Sequence, residues 1–497
     1  MGLKSLVLLL PSLAVPSTCS SCKSSRPFLL AFAVSFSALP GFSFCSERNA
    51  YSPLEAMNRY LYLLLCSHIV LTTSTELPVC IVGAGASGLS AAHALEALGR
   101  HTVIFDAKDT VGGNAQNYYE NDQAFYLGPL LIGNSSHPET MKIVESVDVP
   151  VTTYTPESSW IFNWTTGETW TAPETPQTPP PEFLEELQRY TENVSDELTV
   201  STTEWFTEQK FPLLHATIMP SLIAWGYGDV DELPIFYPLS IFTPAALMGT
   251  RLRVDFHEVF QRWSRQLSRS EIHPGSKVDC IDRSEETITL YYTSSQNQNT
   301  PLQQSCSDLI LAFPPTLSSL EAAGLSLSAE EHTVFSAVRT TNYFSAAVRL
   351  DTPHLSFFQI TTETPYSSPE IAGQPVSVEG QYNNSDISLL YALASHSQSV
   401  EGVADVTLQT LSRINGDPTD DDAITTPVTP TDIKAFRHHP YYFPHFEADA
   451  LRGGLYDLFN DLQGANRTYF TSGLNRVEHV EYVVVAAREV VQRYFST

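Results

Sequence analysis

Four residues carry the clearest chemistry in this sequence: Gly83, Gly85 and Gly88, spaced as GxGxxG, and Asp106, eighteen residues after Gly88. A turn without Cβ atoms can bend tightly at Gly83, approach a pyrophosphate at Gly85, and let the next helix pack closely on the strand at Gly88. A carboxylate at Asp106 can accept hydrogen bonds from both hydroxyls of a ribose. Glycines at this spacing also serve packing alone, and it is the acid at the right distance that points to a dinucleotide. Metal chemistry has no comparable support. His438, His439 and His445 cluster around Pro440 and Pro444, but HHxxxxxH is not a helical ligand spacing, so a surface or packing role is expected. No GxSxG or similar nucleophile elbow is present.

The elements that must hold these residues can be read around them. Val79 to Val82 is a short apolar run of strand length, rich in β-branched residues. A helix starting near Ala86 and Ser87 would aim its unpaired N–H groups and its dipole at the phosphates. Its inner face is small at Ala91 and Ala92, and Gly99 closes it. Thr102 to Phe105 is the second strand, and it delivers Asp106 at its end.

The residues that follow, AKDTVGGN from Ala107 to Asn114, resemble the second glycine motif of the FAD-dependent amine-oxidase-like flavoproteins. The resemblance implies that Gly112 and Gly113 lie against the FAD diphosphate and ribityl. That motif usually continues with Arg, and Asn114 here removes a charge from the phosphate site. Further along, GYGDVDELP, YYFPHF and SGLNRVEHVEYVVVAAREVV resemble a subgroup that includes polyunsaturated fatty acid isomerase and fungal cyclopiazonate oxidocyclase. The likeness runs from about Pro78 to the C-terminus. By it, Gly128 lies beside the flavin, Val278 meets the adenine end through its backbone, and Gly473 approaches the pyrophosphate and ribityl. The helix beginning near Glu478 to Val480 would turn its positive end to the flavin pyrimidine. The cofactor implied is noncovalent FAD, whose N5 takes a hydride from an apolar substrate. The hydride is then returned elsewhere on the substrate in isomerases, or passed to O2 in oxidases.

The fold class expected is α/β: a Rossmann-like FAD-binding domain of the glutathione-reductase type with an inserted α+β substrate domain. The FAD-binding domain takes residues 77–150, 270–320 and 432–497, and the substrate domain residues 151–269 and 321–431. Within the first, 118–132 reads as a hairpin and 137–147 as a helix. The second begins with strands bearing Trp160 and Trp164, crosses the proline-rich surface linker at 171–181, and turns mostly helical to about Gln266. Strands are expected at 278–281, 287–292 and 308–313, a helix over 321–339, and further strands at 343–350, 357–362 and 388–394. Catalytic residues are not identified, but Tyr227, Tyr441, Tyr442 and Phe443 are candidates for the substrate chamber. On an extended chain side chains alternate, so Tyr441 and Phe443 would point together and Tyr442 opposite.

With 27 basic and 55 acidic residues, the net charge is −28 over 497 residues, which argues against nucleic acid and anionic membrane surfaces as partners. Residues 1–76 read as a leader. From Met57, Arg59, an apolar core from Tyr60 and small Thr73, Ser74 and Thr75 form a signal-peptide pattern; residues 1–56 are either an upstream start or part of a longer leader. No run there reaches the ~20 apolar residues of a membrane span. Secretion or a lumenal location follows, with sequons at Asn134, Asn163, Asn193, Asn383 and Asn466. Cleavage near Thr75 leaves three cysteines: Cys80 is expected as a buried thiol, and Cys280 and Cys306 either pair or pack singly.

Three functions remain from this reading. The first is a secreted FAD-dependent oxidoreductase, a glycoprotein acting on a small hydrophobic or amine-bearing metabolite, in secondary metabolism and with O2 as acceptor. The second is a redox-neutral FAD isomerase of unsaturated lipids. The third is a flavin-fold protein that binds a ligand without turnover.

Overall fold

The computed structural model describes residues 76–496 except 155–158, 164–165, 172–180, 191–195, 210–217, 219–220, 285, 353–355, 360–370 and 421. The expected leader, Trp164, most of the proline-rich linker and the Asn193 sequon lie outside the described residues.

Val79–Val82 is a central strand with both faces buried, and its neighbours explain why it reads as a continuous apolar run. Five parallel strands pair in the order Ser270–His273, Thr102–Phe105, Val79–Val82, Asp308–Leu311 and Thr468–Phe470. Alternate residues serve opposite faces. Val79, Ile81, Ile104 and Ile310 pack against the helices Ala86–Ala97 and Val480–Phe495. Those helices approach closely enough for the Ser90 hydroxyl to donate to the Val484 carbonyl at 2.9 Å. Cys80, Val103, Phe105, Leu309 and Leu311 face Val278, Ile281, Ile288 and Leu290 of an antiparallel sheet made by Ser276–Asp282, Ile288–Ser294 and Asn297–Cys306.

This arrangement overturns the expectation for the cysteines. Cys80 forms a disulfide with Cys306, with Cα atoms 5.7 Å apart, and Cys280 is buried outside the disulfide. Topology is the cause. Cys280 is paired opposite Tyr291 and Cys306 opposite Ile288, on the two outer strands of the antiparallel sheet, with the middle strand between them. The last of those strands then runs to the start of Val79–Val82, where Ser307 N–H donates to the Pro78 carbonyl at 2.9 Å.

A second, seven-stranded sheet orders as Ile433–Phe446, Val338–Arg349, Ile387–Ala394, Pro375–Gly380, Ser356–Gln359, Ser159–Phe162 and Thr169–Thr171. Residues 432–446 were expected with the FAD-binding segments, yet the strand Ile433–Phe446 pairs here. Conversely Phe256–Ser264, assigned to the substrate domain, buries Phe256, Val259, Phe260 and Trp263 in the core of the parallel sheet. The helix expected over 321–339 is instead two short helices, Leu317–Ala322 and Ala329–Ser336, followed by a strand from Val338. Gly324 breaks it at φ +65°, where a Cβ would lie 2.3 Å from the Asp279 carbonyl oxygen. The strand Arg251–Val254, inside the expected helical stretch, pairs with Leu131–Gly133 and Val151–Thr153. No helix among the described residues is long and apolar enough to cross a membrane.

Candidate active site

The glycine turn sits at the C-terminal edge of the parallel sheet. Gly83 has φ +109°, donates to the Phe105 carbonyl at 2.7 Å, and has room for no Cβ, which would meet the Ala312 carbonyl at 2.6 Å. Gly88 is a packing residue, since a Cβ there would lie 1.9 Å from the Gly83 carbonyl oxygen. Asp106 accepts the Ala84 N–H at 2.7 Å and the Lys108 N–H at 2.8 Å, one on each carboxylate oxygen. Burial raises its pKa, and these two bonds oppose the shift. Gly112 and Gly113 follow at φ +114° and +61°, and a Cβ on Gly113 would lie 3.0 Å from the Gly85 Cα, so two bare backbones face each other. Lys108 Nζ reaches back to the Gly113 carbonyl at 2.7 Å, which keeps a cation beside the turn that Asn114 leaves uncharged. A glycine-walled cleft, a helix N-terminus and a partly buried acid fit the phosphates and ribose of a dinucleotide.

From this cradle a cavity of about 670 Å³ continues through the molecule. Gly83, Gly85, Ala86, Ser87, Asp106, Gly112, Gly113 and Asn114 line one end. Gly128, Val278, Gly473 and Val480 line it too, drawn from four separate elements, as do Tyr227, Tyr441 and Tyr442. Gly88 and Phe443 are not on its wall.

The placement of Phe443 corrects the expected alternation. Phe443 has φ +50° and is fully buried, and the pairing of its strand with Val338–Arg349 shifts register twice nearby. A left-handed residue breaks the period of two. Tyr441 and Tyr442 therefore both reach the cavity, while Phe443 packs edge-on to Tyr227 (centroids 4.9 Å) and Tyr237 (5.3 Å) and stacks on His445 (4.4 Å).

Tyr343 and Tyr391 complete an aromatic wall that was not anticipated. Tyr343 stacks on Tyr442 with centroids 4.8 Å apart and on Tyr391 at 6.0 Å. Its ring explains Gly226, where a Cβ would come within 2.7 Å of it. The hydroxyls are committed to main-chain carbonyls: Tyr343 to Ala224 at 2.5 Å, Tyr227 to Glu478 at 2.7 Å, and Tyr391 to Tyr126 at 3.3 Å. Burial pushes all three phenols well above their ordinary pKa. They stay protonated and present ring surface, not acid–base groups, to the cavity. A polar edge lies beside them. Arg253 pairs with Glu379 at 2.8 Å and lies over the Tyr154 ring at 5.1 Å; Glu379, Tyr154 and neighbouring Arg251 reach the cavity. Burial raises the Glu379 pKa, with Arg253 opposing.

Three further residues lie on the wall: Glu478 and His479, expected there only as the start of the closing helix, and His439, for which a surface or packing role was expected. Asn114 stands between two of them, 3.4 Å from Glu478 Oε1 and 3.2 Å from His439 Nδ1. The available signal for Glu478 was its place immediately before the closing helix. His439 had none, because only the strand pairing turns it inward. Among the described residues no three His, Cys, Asp or Glu side chains assemble as a metal site.

A family model described as an NAD(P)-binding Rossmann-like domain matches residues 81–147. An FAD-dependent oxidoreductase of Colletotrichum higginsianum is 22% identical, over 80% of this chain and 89% of its own length. A beta-cyclopiazonate dehydrogenase of Aspergillus flavus is 24% identical over 82% of this chain and 91% of its own. Among solved structures, a CLA-producing fatty acid isomerase from P. acnes superposes with a TM-score of 0.69 at 18% identity, covering 85% of this chain and all of that one. A putrescine oxidase superposes with a TM-score of 0.59 at 17% identity over 85% of this chain, so the fold is shared with both.

Proposed function

We propose that this chain is a secreted FAD-dependent oxidoreductase that takes a hydride from a small hydrophobic or amine-bearing metabolite, with O2 as electron acceptor. The observation that carries the reading is continuity: the glycine-walled dinucleotide cradle and the aromatic chamber are one cavity. Asp106 would hold the ribose, the N-terminus of Ala86–Ala97 the phosphates, and Gly112, Gly113 and Gly473 the close backbone approach. FAD, when bound, supplies the hydride acceptor. The chain supplies orientation and a dry site, because Tyr227, Tyr343, Tyr391 and Tyr442 enclose the substrate end with ring surface. The Cys80–Cys306 disulfide fits an oxidising compartment. The exposed sequons at Asn134, Asn383 and Asn466 agree with that; Asn163 is buried and holds the Thr166 N–H at 3.2 Å, so it is a poor acceptor for a glycan.

A redox-neutral isomerase of unsaturated lipids is the second reading. The superposition on a fatty acid isomerase favours it, as does Arg251 at the chamber edge, where a carboxylate could bind. The test is to screen amines, alcohols and unsaturated acids for anaerobic bleaching of the flavin absorbance, and then to measure peroxide in air. Bleaching with stoichiometric peroxide supports the oxidase; product without peroxide supports the isomerase. A folded protein that takes up no flavin would overturn both.

A further inference from the structure

Glu478, Asn114 and His439 line the cavity, and with the fully buried Ser345 behind them they form one file of side chains. Asn114 bridges Glu478 and His439, His439 Nε2 meets Ser345 Oγ at 3.2 Å, and Ser345 Oγ donates to the Leu127 carbonyl at 2.7 Å, next to Gly128. Counting protons along the file fixes its direction. Serine has a single proton and the short bond to Leu127 uses it, so the contact with His439 must come from Nε2–H. His439 is buried and held down to about 3, by burial first and by Lys108 next, so it is neutral with one proton. Its Nδ1 is then an acceptor. The structure turns Asn114 Nδ2 to Glu478 and Oδ1 to His439, but the amide has the same outline either way round, and an acceptor at Nδ1 calls for the NH2 group there. The amide oxygen consequently faces Glu478 Oε1, which must bring a proton of its own.

We propose that Glu478 is the proton-holding residue of the chamber, and that its single proton sets the direction of every hydrogen bond from Asn114 through His439 to Ser345. When that proton leaves to solvent, Asn114 turns its NH2 group to the carboxylate and His439 carries its one proton on Nδ1. Ser345 then donates to Nε2, and the Leu127 carbonyl loses the Ser345 hydroxyl. One proton is released, and the imidazole is neutral in both forms.

The surroundings support a carboxyl poised between these forms. A Cβ at residue 473 would lie 2.2 Å from Glu478 Oε2, so glycine there makes the space for the acid. Burial lifts Glu478 to about 7, and Asn114 opposes the rise when its NH2 group faces the carboxylate. Tyr227 and Tyr442 face it as neutral phenols. On its own segment Arg476 lies over the Tyr482 ring, His479 is kept neutral by burial, and the Glu481 carboxylate is taken up by the N–H groups of Glu139 and Thr140. Lys108, His438 and Arg437 bear on His439 and disfavour imidazolium. Asparagine at 114 is essential to the device, because arginine has no acceptor and could not reverse. The inference rests on the function proposed above, where an amine or alcohol that loses hydride also sheds an N–H or O–H proton, and Glu478 as carboxylate can take it.

The test is a titration of FAD-reconstituted full chain, labelled in histidine and glutamate, by NMR from about pH 5 to 9, with His439 assigned by His439→Gln. The expected result is a neutral His439 whose proton moves from Nε2 to Nδ1 with the same midpoint as the Glu478 carboxyl, near 7. Glu478→Gln should abolish the movement, and Asn114→Leu should leave Glu478 titrating while His439 no longer follows. A fixed tautomer in the parent protein, or a Glu478 titration in the ordinary carboxylate range, would overturn the proposal without any variant having to fold. Failure to bind FAD would instead count against the proposed function, since the tautomer can still be read on the apoprotein.

Discussion

Asp106 Oδ2 accepts the Ala84 N–H at 2.7 Å, which ties the end of the second strand to the middle of the glycine turn. The same carboxylate that would bind ribose therefore also holds the shape of the phosphate cradle. Charge-assisted hydrogen bonds lost from such a group cost about 1.5 to 3 kcal/mol. Asp106→Ala should weaken FAD binding roughly ten- to a hundred-fold, read by fluorescence titration of the apoprotein. Asp106→Asn retains an acceptor for Ala84 and should fall between parent and Ala. Equal affinity in all three would remove Asp106 from the site.

The Cys80–Cys306 bond closes a loop across a sequence separation of 226. Removing a native disulfide costs about 2 to 5 kcal/mol. Cys80→Ser and Cys306→Ser should lower the denaturation midpoint to the same extent, and the double variant should add little to either. Thiol titration of unfolded chain 78–497 should find Cys280 alone without reductant and all three cysteines with it. Three thiols without reductant would mean that the bond does not form.

What could be read from the sequence was local and periodic. Val79 to Asn114 declared strand, turn, helix and acid because each has a short-range signature, and the structure assembles them as the spacing requires. Long-range pairing left no such mark. Nothing near Cys80 says that a strand 226 residues later ends beside it, and nothing in RLRV at 251–254 outweighs the helical periodicity around it. The chamber was half legible for the same reason: Tyr441 and Tyr442 lay in a conspicuous aromatic run, whereas Tyr343, Tyr391 and Glu379 reach the cavity only through the pairing of the seven-stranded sheet.

Burial of His137 makes a pH prediction. Its Nδ1 accepts the Gly133 N–H at 3.1 Å, and burial lowers its pKa from 6.5 to about 4. The unfolded chain binds this proton below pH ~6.5, while the folded chain resists it until about 4. Stability from this group is therefore full above the first value and is lost as pH falls through the window between them. Urea midpoints measured across that window should decline in the parent and decline less steeply in His137→Asn. Parallel slopes would show that His137 does not contribute.

The adjacent pair Tyr442 and Phe443 separates chamber from core by one residue. Tyr442 lines the cavity and stacks on Tyr343, whereas Phe443 is fully buried between Tyr227, Tyr237 and His445. Tyr442→Leu removes ring surface that faces the substrate, so it should slow anaerobic flavin reduction by a good substrate and leave the unfolding midpoint nearly unchanged. Phe443→Leu opens space in a packed core, and losses of this kind cost about 1 to 2 kcal/mol. It also puts a γ-branched residue at φ +50°, a conformation that aromatic packing currently holds in place. The expected pattern is thus a rate defect in one variant and a stability defect in the other. Thermal unfolding and stopped-flow reduction read the two independently. If the defects were exchanged, Phe443 would be the chamber residue and the left-handed turn in this strand would have to be abandoned.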